Sequence, residues 1–275
     1  MRGSTPCSCE SLSRYGGNTS CVVVEPDDHD PIVLDLGTGL RFFGLNRPFD
    51  EPFRGSALVT HLHWDHVQGI PFFSPLLAPD ARLDLYAPAV DGGLEDAVRA
   101  FLSPPYFPVG IDDLPGEVVF HDTEPGEFKV DGALVQAEWV PHVGPTLGYR
   151  VTVGDVSIAY VSDHQQPGLD STEVDPAVLD LCRGADVVIH DAQFDDLEFS
   201  MRSDWGHCTV DYAVEVAAQA EARTLVLFHH DPSHTDVRVD ELLAHARSVG
   251  VKRGIGEVLA ASEGLTLSFD PARAG

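Results

Sequence analysis

The sequence predicts an α/β or α+β fold in which β-sheets and helices share a hydrophobic core. Three observations support this prediction. Short apolar runs rich in β-branched residues recur along the chain, helical patterns separate some of them, and several runs end directly at His or Asp. Short apolar runs bounded by turn residues are typical of strands, and a 3.6-residue period is typical of amphipathic helices. Such a mixture favours layers of sheet and helix.

The apolar runs and helical patterns can be placed in order along the chain. Strands are predicted at residues 20–25, 31–36, 57–60, 83–87, 117–121, 134–140, 157–161, 186–189 and 224–228. Helices are predicted at residues 94–102, 211–222 and 239–249, with Thr209 as a candidate N-cap of the second. Because no repeat or linker divides the chain, we expect residues 1–275 to form a single domain.

Composition and charge limit the function. The chain has 17 Lys and Arg against 44 Asp and Glu, a net charge of -27, so a large nucleic acid is not expected as a partner. No secretory signal or long apolar stretch is evident, and the five cysteines are scattered, so we expect a cytoplasmic protein with reduced thiols. The oligomeric state stays open, with a homodimer as one alternative.

Polar residues capable of binding a metal follow the predicted strands. Five of the apolar runs lead, within two residues, into His61, His142, Asp163, the pair His190 and Asp191, and His229. A functional site needs side chains held on rigid elements, whereas scattered surface histidines would not follow strand ends. The sequence therefore predicts one site built from strand ends.

The segment His61-Leu-His63-Trp-Asp65-His66 is the strongest signal, because it brings four candidate ligands directly after a strand. Imidazole and carboxylate suit borderline divalent ions such as zinc. On an extended segment His61 and His63 point the same way, and a following turn can aim Asp65 and His66 at a second ion. The alternative interpretation is a solvated polar loop.

This HLHWDH segment resembles the HxHxDH signature of the metallo-β-lactamase superfamily. The resemblance implies an αβ/βα sandwich with two mixed β-sheets flanked by helices, and two bound divalent ions, with zinc expected and manganese or iron as alternatives. It implies that one ion binds His61, His63 and His142, that the other binds Asp65, His66 and His229, and that Asp163 bridges them.

Two further segments narrow the family branch. His190-Asp191-Ala192-Gln193-Phe194 and Gly206-His207-Cys208-Thr209 resemble the "HEATF" and "GHST" motifs of ribonuclease Z and related phosphodiesterases, with Asp191 in place of glutamate. In that family the acid orients a histidine that can protonate the leaving alkoxide, so the candidate catalytic residues are Asp65, Asp191 and His207. The alternative is a buried strand-end Asp191 and a His207 that only caps the next helix.

The opening segments extend the resemblance. Arg2-Gly-Ser-Thr-Pro6, residues 14–21 and residues 34–39 resemble small bacterial phosphodiesterases, including relatives of phosphoribosyl cyclic phosphodiesterase. Such proteins normally have a strand before the first segment, and only Met1 precedes it here, so we expect a missing strand to expose a sheet edge.

The resulting hypothesis is a dinuclear phosphodiesterase that attacks a small anionic diester, such as a cyclic nucleotide or cyclic phosphate, with a metal-bound hydroxide. Alternatives are RNA 3′-end cleavage as in ribonuclease Z, lactone or thioester hydrolysis, and a non-catalytic binding protein. The long bacterial ribonuclease Z carries a tRNA-binding arm between the third histidine and the bridging aspartate, for which His142 and Asp163 leave no room. His230 and His234 are candidates for substrate contact, with placement in a flexible loop as the alternative. The segment Phe101 to Pro108 is a candidate wall of a substrate pocket, with core packing or a rigid loop as the alternative.

Overall fold

The computed structural model describes residues 1–48 and 51–269. The chain forms two compact units, and each has its own β-sheet and hydrophobic core. The first unit comprises residues 20–124 and 130–132, and the second comprises residues 1–19, residues 125–129 and the chain from Ala133 onward. The single domain expected for residues 1–275 stays a prediction.

The first unit contains a five-stranded mixed sheet in the order β1-β2-β3-β4-β5. The strands are β1 Val22–Val24, β2 Ile32–Leu34, β3 Arg54–Leu58, β4 Arg82–Pro88 and β5 Glu117–Thr123. The helices are α1 Leu40–Leu45, α2 Trp64–Val67 and α3 Leu94–Phe101, with 3-10 turns at Ile70–Phe72, Ser74–Leu77 and Ile111–Asp113. β1 pairs antiparallel with β2, and the other neighbours are parallel.

The second unit contains a seven-stranded mixed sheet in the order β12-β11-β10-β9-β8-β7-β6. The strands are β6 Gly126–Val130, β7 Ala133–Trp139, β8 Leu147–Val153, β9 Val156–Val161, β10 Val187–Asp191, β11 Thr224–Phe228 and β12 Glu257–Ala260. The helices are α4 Pro176–Cys182, α5 Asp196–Met201, α6 Val210–Gln219 and α7 Asp236–Lys252, with a 3-10 turn at Glu10–Leu12. β9 to β12 are parallel, and β8 is antiparallel to both of its neighbours, β7 and β9.

Burial explains why these segments form strands. β2 and β10 have every residue buried, as expected for inner strands of a sheet that is covered on both faces. The predicted two mixed sheets flanked by helices are confirmed, and Thr209 caps α6 by accepting a hydrogen bond from the Tyr212 N–H.

Some elements were missed by the sequence prediction. The strands β6 and β8 were missed because polar residues interrupt their apolar runs, as Arg150 does in β8, and β12 was missed because it has only four residues. The helices α1, α2, α4 and α5 were missed because each has seven residues or fewer, too short to show a helical period. Among the described residues, none of the helices combines the length and apolar character needed to cross a membrane.

Candidate active site

In the first unit, the HLHWDH segment follows β3, and the carboxyl end of the parallel neighbour β2 lies beside it. Asp35 directly follows β2 and has no solvent exposure. Its Oδ1 accepts a hydrogen bond from the Thr60 N–H at 2.7 Å, and its Oδ2 lies 2.7 Å from His66 Nδ1. Since a carboxylate accepts, His66 Nδ1 carries the proton and its Nε2 is the nitrogen suited to bind a cation. Asp35 thus orients a candidate ligand.

Asp35 is a functional residue that the sequence reasoning missed. Its position directly after a strand was the same signal that identified the other candidates, but no ligand motif contains it. Asp35 has a φ of 60°, a left-handed backbone conformation that is uncommon for residues other than glycine. Such a conformation costs free energy and persists only where the surrounding structure stabilises it.

The structure brings the candidate ligands of this segment together. His61 Nε2 lies 2.8 Å from His63 Nδ1, and His66 Nε2 lies 3.3 Å from Asp65 Oδ2. His61, Asp65 and His66 are buried, whereas His63 is exposed. The close approach of nitrogens and carboxylate oxygens gives a donor set that suits a borderline divalent ion.

In the second unit, the parallel strands β9, β10 and β11 are neighbours, and each brings a candidate residue to its carboxyl end: Asp163 follows β9, Asp191 is the last residue of β10, and His229 follows β11. Asp163, His207 and His229 offer ligand atoms that all lie within 4.8 Å of one another. His229 Nε2 is 3.3 Å from Asp163 Oδ1, and the rings of His207 and His229 are stacked with centroids 4.8 Å apart. All three residues are buried, so their charges are weakly screened by water.

The orientation of two histidines is set by hydrogen bonds to oxygen acceptors. His229 Nδ1 lies 2.7 Å from Gln193 Oε1, and His142 Nδ1 lies 2.7 Å from the Gly206 carbonyl. Because these oxygens accept, both Nδ1 atoms carry the proton and both Nε2 atoms are available as ligands. Gln193 belongs to the segment that resembles the "HEATF" motif, but that resemblance does not predict this role for it.

Two glycines make close approaches to these histidines. A Cβ at Gly3 would lie 2.2 Å from His229 Nδ1, and a Cβ at Gly206 would lie 2.4 Å from His142 Nδ1. Gly206 also has a φ of 93°, a backbone conformation that residues with a Cβ atom rarely adopt. The glycines of the RGSTP and WGHCT segments therefore leave space for the imidazole rings.

Asp191 and His207 form a buried hydrogen-bonded pair. His207 Nδ1 lies 2.9 Å from Asp191 Oδ2, which also accepts from the His164 N–H at 3.0 Å. Asp191 Oδ1 accepts from the Gln193 N–H at 3.0 Å. These bonds fix the carboxylate, and the carboxylate in turn fixes the ring of His207 with Nδ1 protonated. His207 does not supply the side-chain cap of α6, because Thr209 does.

The other histidines in these segments lie in separate contacts. His164 Nδ1 bonds to His190 Nε2 at 3.0 Å, and burial lowers the pKa of both rings, so they stay neutral. His230 and His234 are 2% and 3% exposed, and they lie in hydrogen-bonding distance of the Ala261 carbonyl and of Glu198, respectively. The flexible-loop alternative for His230 and His234 is wrong, because both rings are buried and partnered.

Two mixed sheets flanked by helices, with strand-end clusters of histidine and carboxylate, are typical of metal-dependent hydrolases. A family model described as "Beta-lactamase superfamily domain" matches residues 33–230. The chain belongs to this superfamily, and it is a hydrolase with the metallo-β-lactamase fold.

Known proteins resemble the chain over most of its length. A ribonuclease Z of Kineococcus radiotolerans is 28% identical over 268 residues, which covers 82% of each chain. The structure of the metallo-β-lactamase fold protein YhfI from Bacillus subtilis has a TM-score of 0.71 at 18% identity and covers 96% of this chain and 94% of that chain. A diphosphatase from the PhnP family has a TM-score of 0.67 at 21% identity and covers 96% of this chain and 91% of that chain. At these identities the two structures support the fold alone.

Proposed function

We propose that the chain is a dinuclear metal-dependent phosphodiesterase that hydrolyses a small diester, such as a cyclic nucleotide or a cyclic sugar phosphate. The ligand assignment follows the family pattern, in which His61, His63 and His142 bind one ion, Asp65, His66 and His229 bind the other, and Asp163 bridges the two. The ions are proposed to be zinc, with manganese or iron as alternatives, because imidazole and carboxylate ligands suit all three metals.

The observation that carries this proposal is the buried Asp191–His207 pair beside Asp163 and His229. An alkoxide leaves a phosphodiester only with difficulty unless it receives a proton. His207 holds one proton at Nδ1 toward Asp191, so in its protonated form it has a second proton at Nε2 for the leaving oxygen. A thioesterase has less need of such an acid, because a thiolate leaves more readily than an alkoxide, so the pair favours phosphodiester hydrolysis over thioester hydrolysis.

Asp191, His207 and Asp65 are proposed to have separate roles in the reaction. Bound divalent ions would supply activated water and would neutralise charge on the phosphate oxygens. Asp191 holds His207 in one orientation, and the buried position of the pair strengthens the attraction between carboxylate and imidazolium. Asp65, which is 5% exposed, is proposed to accept a hydrogen bond from the attacking water in addition to its role as a ligand.

A small substrate is favoured by charge and by the local fold. The net charge of -27 opposes binding of a polyanion, whereas charge close to the bound ions can still attract a single phosphate group. Between His142 and Asp163 the chain forms the antiparallel pair β8 and β9, joined by a two-residue turn at Gly154 and Asp155. This segment therefore provides no arm for tRNA.

The second candidate function is RNA 3′-end cleavage. It is favoured by the ribonuclease Z of Kineococcus radiotolerans, which is similar over 82% of the chain. The same chemistry would serve both substrates, so the two candidates differ in substrate size. A cytoplasmic location is part of the proposal for either candidate, because the five cysteines are all free thiols and therefore fit a reducing compartment.

The experiment is hydrolysis of bis(p-nitrophenyl) phosphate by metal-reconstituted protein, with a lactone, a thioester and a precursor tRNA assayed in parallel. The His63→Ala variant should lose diester turnover. The matched control His245→Ala should retain it, because His245 is exposed and its ion-pair partner, Asp211, is not a candidate ligand. Lactone or thioester cleavage without diester cleavage would contradict the proposed reaction, and efficient tRNA cleavage would replace the small substrate by RNA.

A further inference from the structure

Trp64 stands between two candidate ligands and is 65% exposed. It is the first residue of α2, whose other residues, Asp65, His66 and Val67, are all buried. The preceding His63 is exposed as well. The motif thus presents its ligand His63 and a large indole ring to solvent side by side, while the remainder of the turn packs into the unit.

The indole ring has an aromatic neighbour that is anchored in the core. The ring centroids of Trp64 and Phe101 are 6.1 Å apart with an interplanar angle of 62°, an edge-to-face arrangement. Phe101 is the last residue of α3 and is partly buried against the hydrophobic core of the first unit. Phe101 therefore supports one edge of the indole and limits its movement, whereas most of the indole surface stays open.

The segments that carry this Trp64–Phe101 pair have few positive side chains. Residues 55–81 and 100–116 contain neither Lys nor Arg, and Arg99, two positions before Phe101, is ion-paired with Glu95 and Asp112. A polynucleotide that passed over these segments would find no cation to neutralise its successive phosphates. An uncharged planar group would meet no such penalty, since every nucleobase has a face that stacks on an aromatic ring.

We propose that Trp64, supported by Phe101, is the subsite for the base of a nucleotide diester, so that the substrate is a mononucleotide diester and not a sugar phosphate without a base. This inference rests on the proposed phosphodiesterase function and narrows its substrate class. A base that stacks on Trp64 lies beside His63, which places the attached phosphate near the ligands of the same motif.

The test compares two ligands that differ only in the base, AMP and ribose 5-phosphate. Their affinities for the metal-reconstituted protein are measured by titration calorimetry and, separately, as inhibition constants against bis(p-nitrophenyl) phosphate. The variants are Trp64→Ala and Trp64→Phe, and the control is Phe42→Ala, which removes another exposed aromatic residue of the first unit. The metal content of each variant is measured to show that the motif still binds its ions.

Wild type and Phe42→Ala are expected to bind AMP at least about tenfold more tightly than ribose 5-phosphate, as one stacked base contributes in other proteins. Trp64→Ala should bring the two affinities to within about twofold, and Trp64→Phe should keep most of the preference. Equal affinities in wild type, or an unchanged ratio in Trp64→Ala, would overturn the base subsite. Absence of diester hydrolysis together with a Trp64-dependent preference for AMP would instead contradict the proposed reaction and leave the subsite standing.

Discussion

Replacement of Asp191 by asparagine tests the hydrogen-bond geometry that holds His207. The carboxylate has no solvent exposure, and it accepts from the Gln193 N–H at Oδ1 and from the His164 N–H and His207 Nδ1 at Oδ2. An asparagine keeps the shape but offers one acceptor oxygen and one amide that only donates. The asparagine amide can lie in two orientations. The more favourable one places its oxygen near the two donors of His164 and His207, so its NH₂ group faces the Gln193 N–H.

The magnitude follows from that arrangement. Two buried donors then face each other without an acceptor, and an unsatisfied buried group costs about 1–3 kcal/mol. We therefore expect Asp191→Asn to lower the free energy of unfolding by roughly 2–5 kcal/mol. The neutral amide also no longer stabilises a protonated His207, so kcat for a substrate with an alkoxide leaving group should fall by about 10²- to 10⁴-fold, the usual contribution of a general acid.

The assays separate stability from catalysis. Urea unfolding is measured with a chelator present, so that metal binding does not contribute, and the exposed Asp27→Asn serves as the control. Rates are measured with a cyclic nucleotide, which releases an alkoxide, and with bis(p-nitrophenyl) phosphate, whose aryloxide leaves with little help from an acid. The rate loss should be much larger for the cyclic nucleotide.

Two results would refute the reasoning. An unfolding free energy within about 0.5 kcal/mol of wild type would show that the carboxylate does not accept the three buried hydrogen bonds, since surface substitutions have effects of that size. Equal rate losses for the two leaving groups would show that Asp191 does not act through proton donation by His207.

Three other predictions concern the metal ligands, a glycine and the thiols. His63→Ala should lower the metal content measured by elemental analysis from about two ions per chain toward one, and unchanged content would remove His63 from the ligand set. Gly69→Ala should lower the urea midpoint strongly, because its Cβ would lie 2.1 Å from a backbone carbonyl oxygen, whereas Gly168→Ala, with nothing within 4 Å, should not. Burial raises the pKa of the Cys208 thiol well above its usual value, so this thiol stays neutral. In native protein at neutral pH, a thiol reagent should therefore label the exposed Cys9 and leave Cys208 unmodified until the chain unfolds.

Much of the fold was predictable because local patterns were strong. The predicted strands at 31–36 and 224–228 correspond to β2 and β11, whose buried apolar residues give continuous runs in the sequence. The strand predicted at 57–60 overlaps only the last two residues of β3, because the first three are Arg, Gly and Ser. Thr209 was identifiable as a cap because an N-cap is a short-range feature. Short helices such as α2 were not predictable, since one turn shows no period and is stabilised by the packing of its buried face.

For the candidate site, the sequence by itself predicted the types of candidate ligand and their positions near strand ends. The tertiary structure decided which atom of each ring is available, because the orienting partners lie far along the chain. Asp35 is 31 positions from His66, Gln193 is 36 positions from His229, and the Gly206 carbonyl is 64 positions from the ring of His142 that bonds to it. No local pattern encodes such pairs, since a hydrogen bond between distant residues exists only after the strands that carry them have paired and the chain has folded.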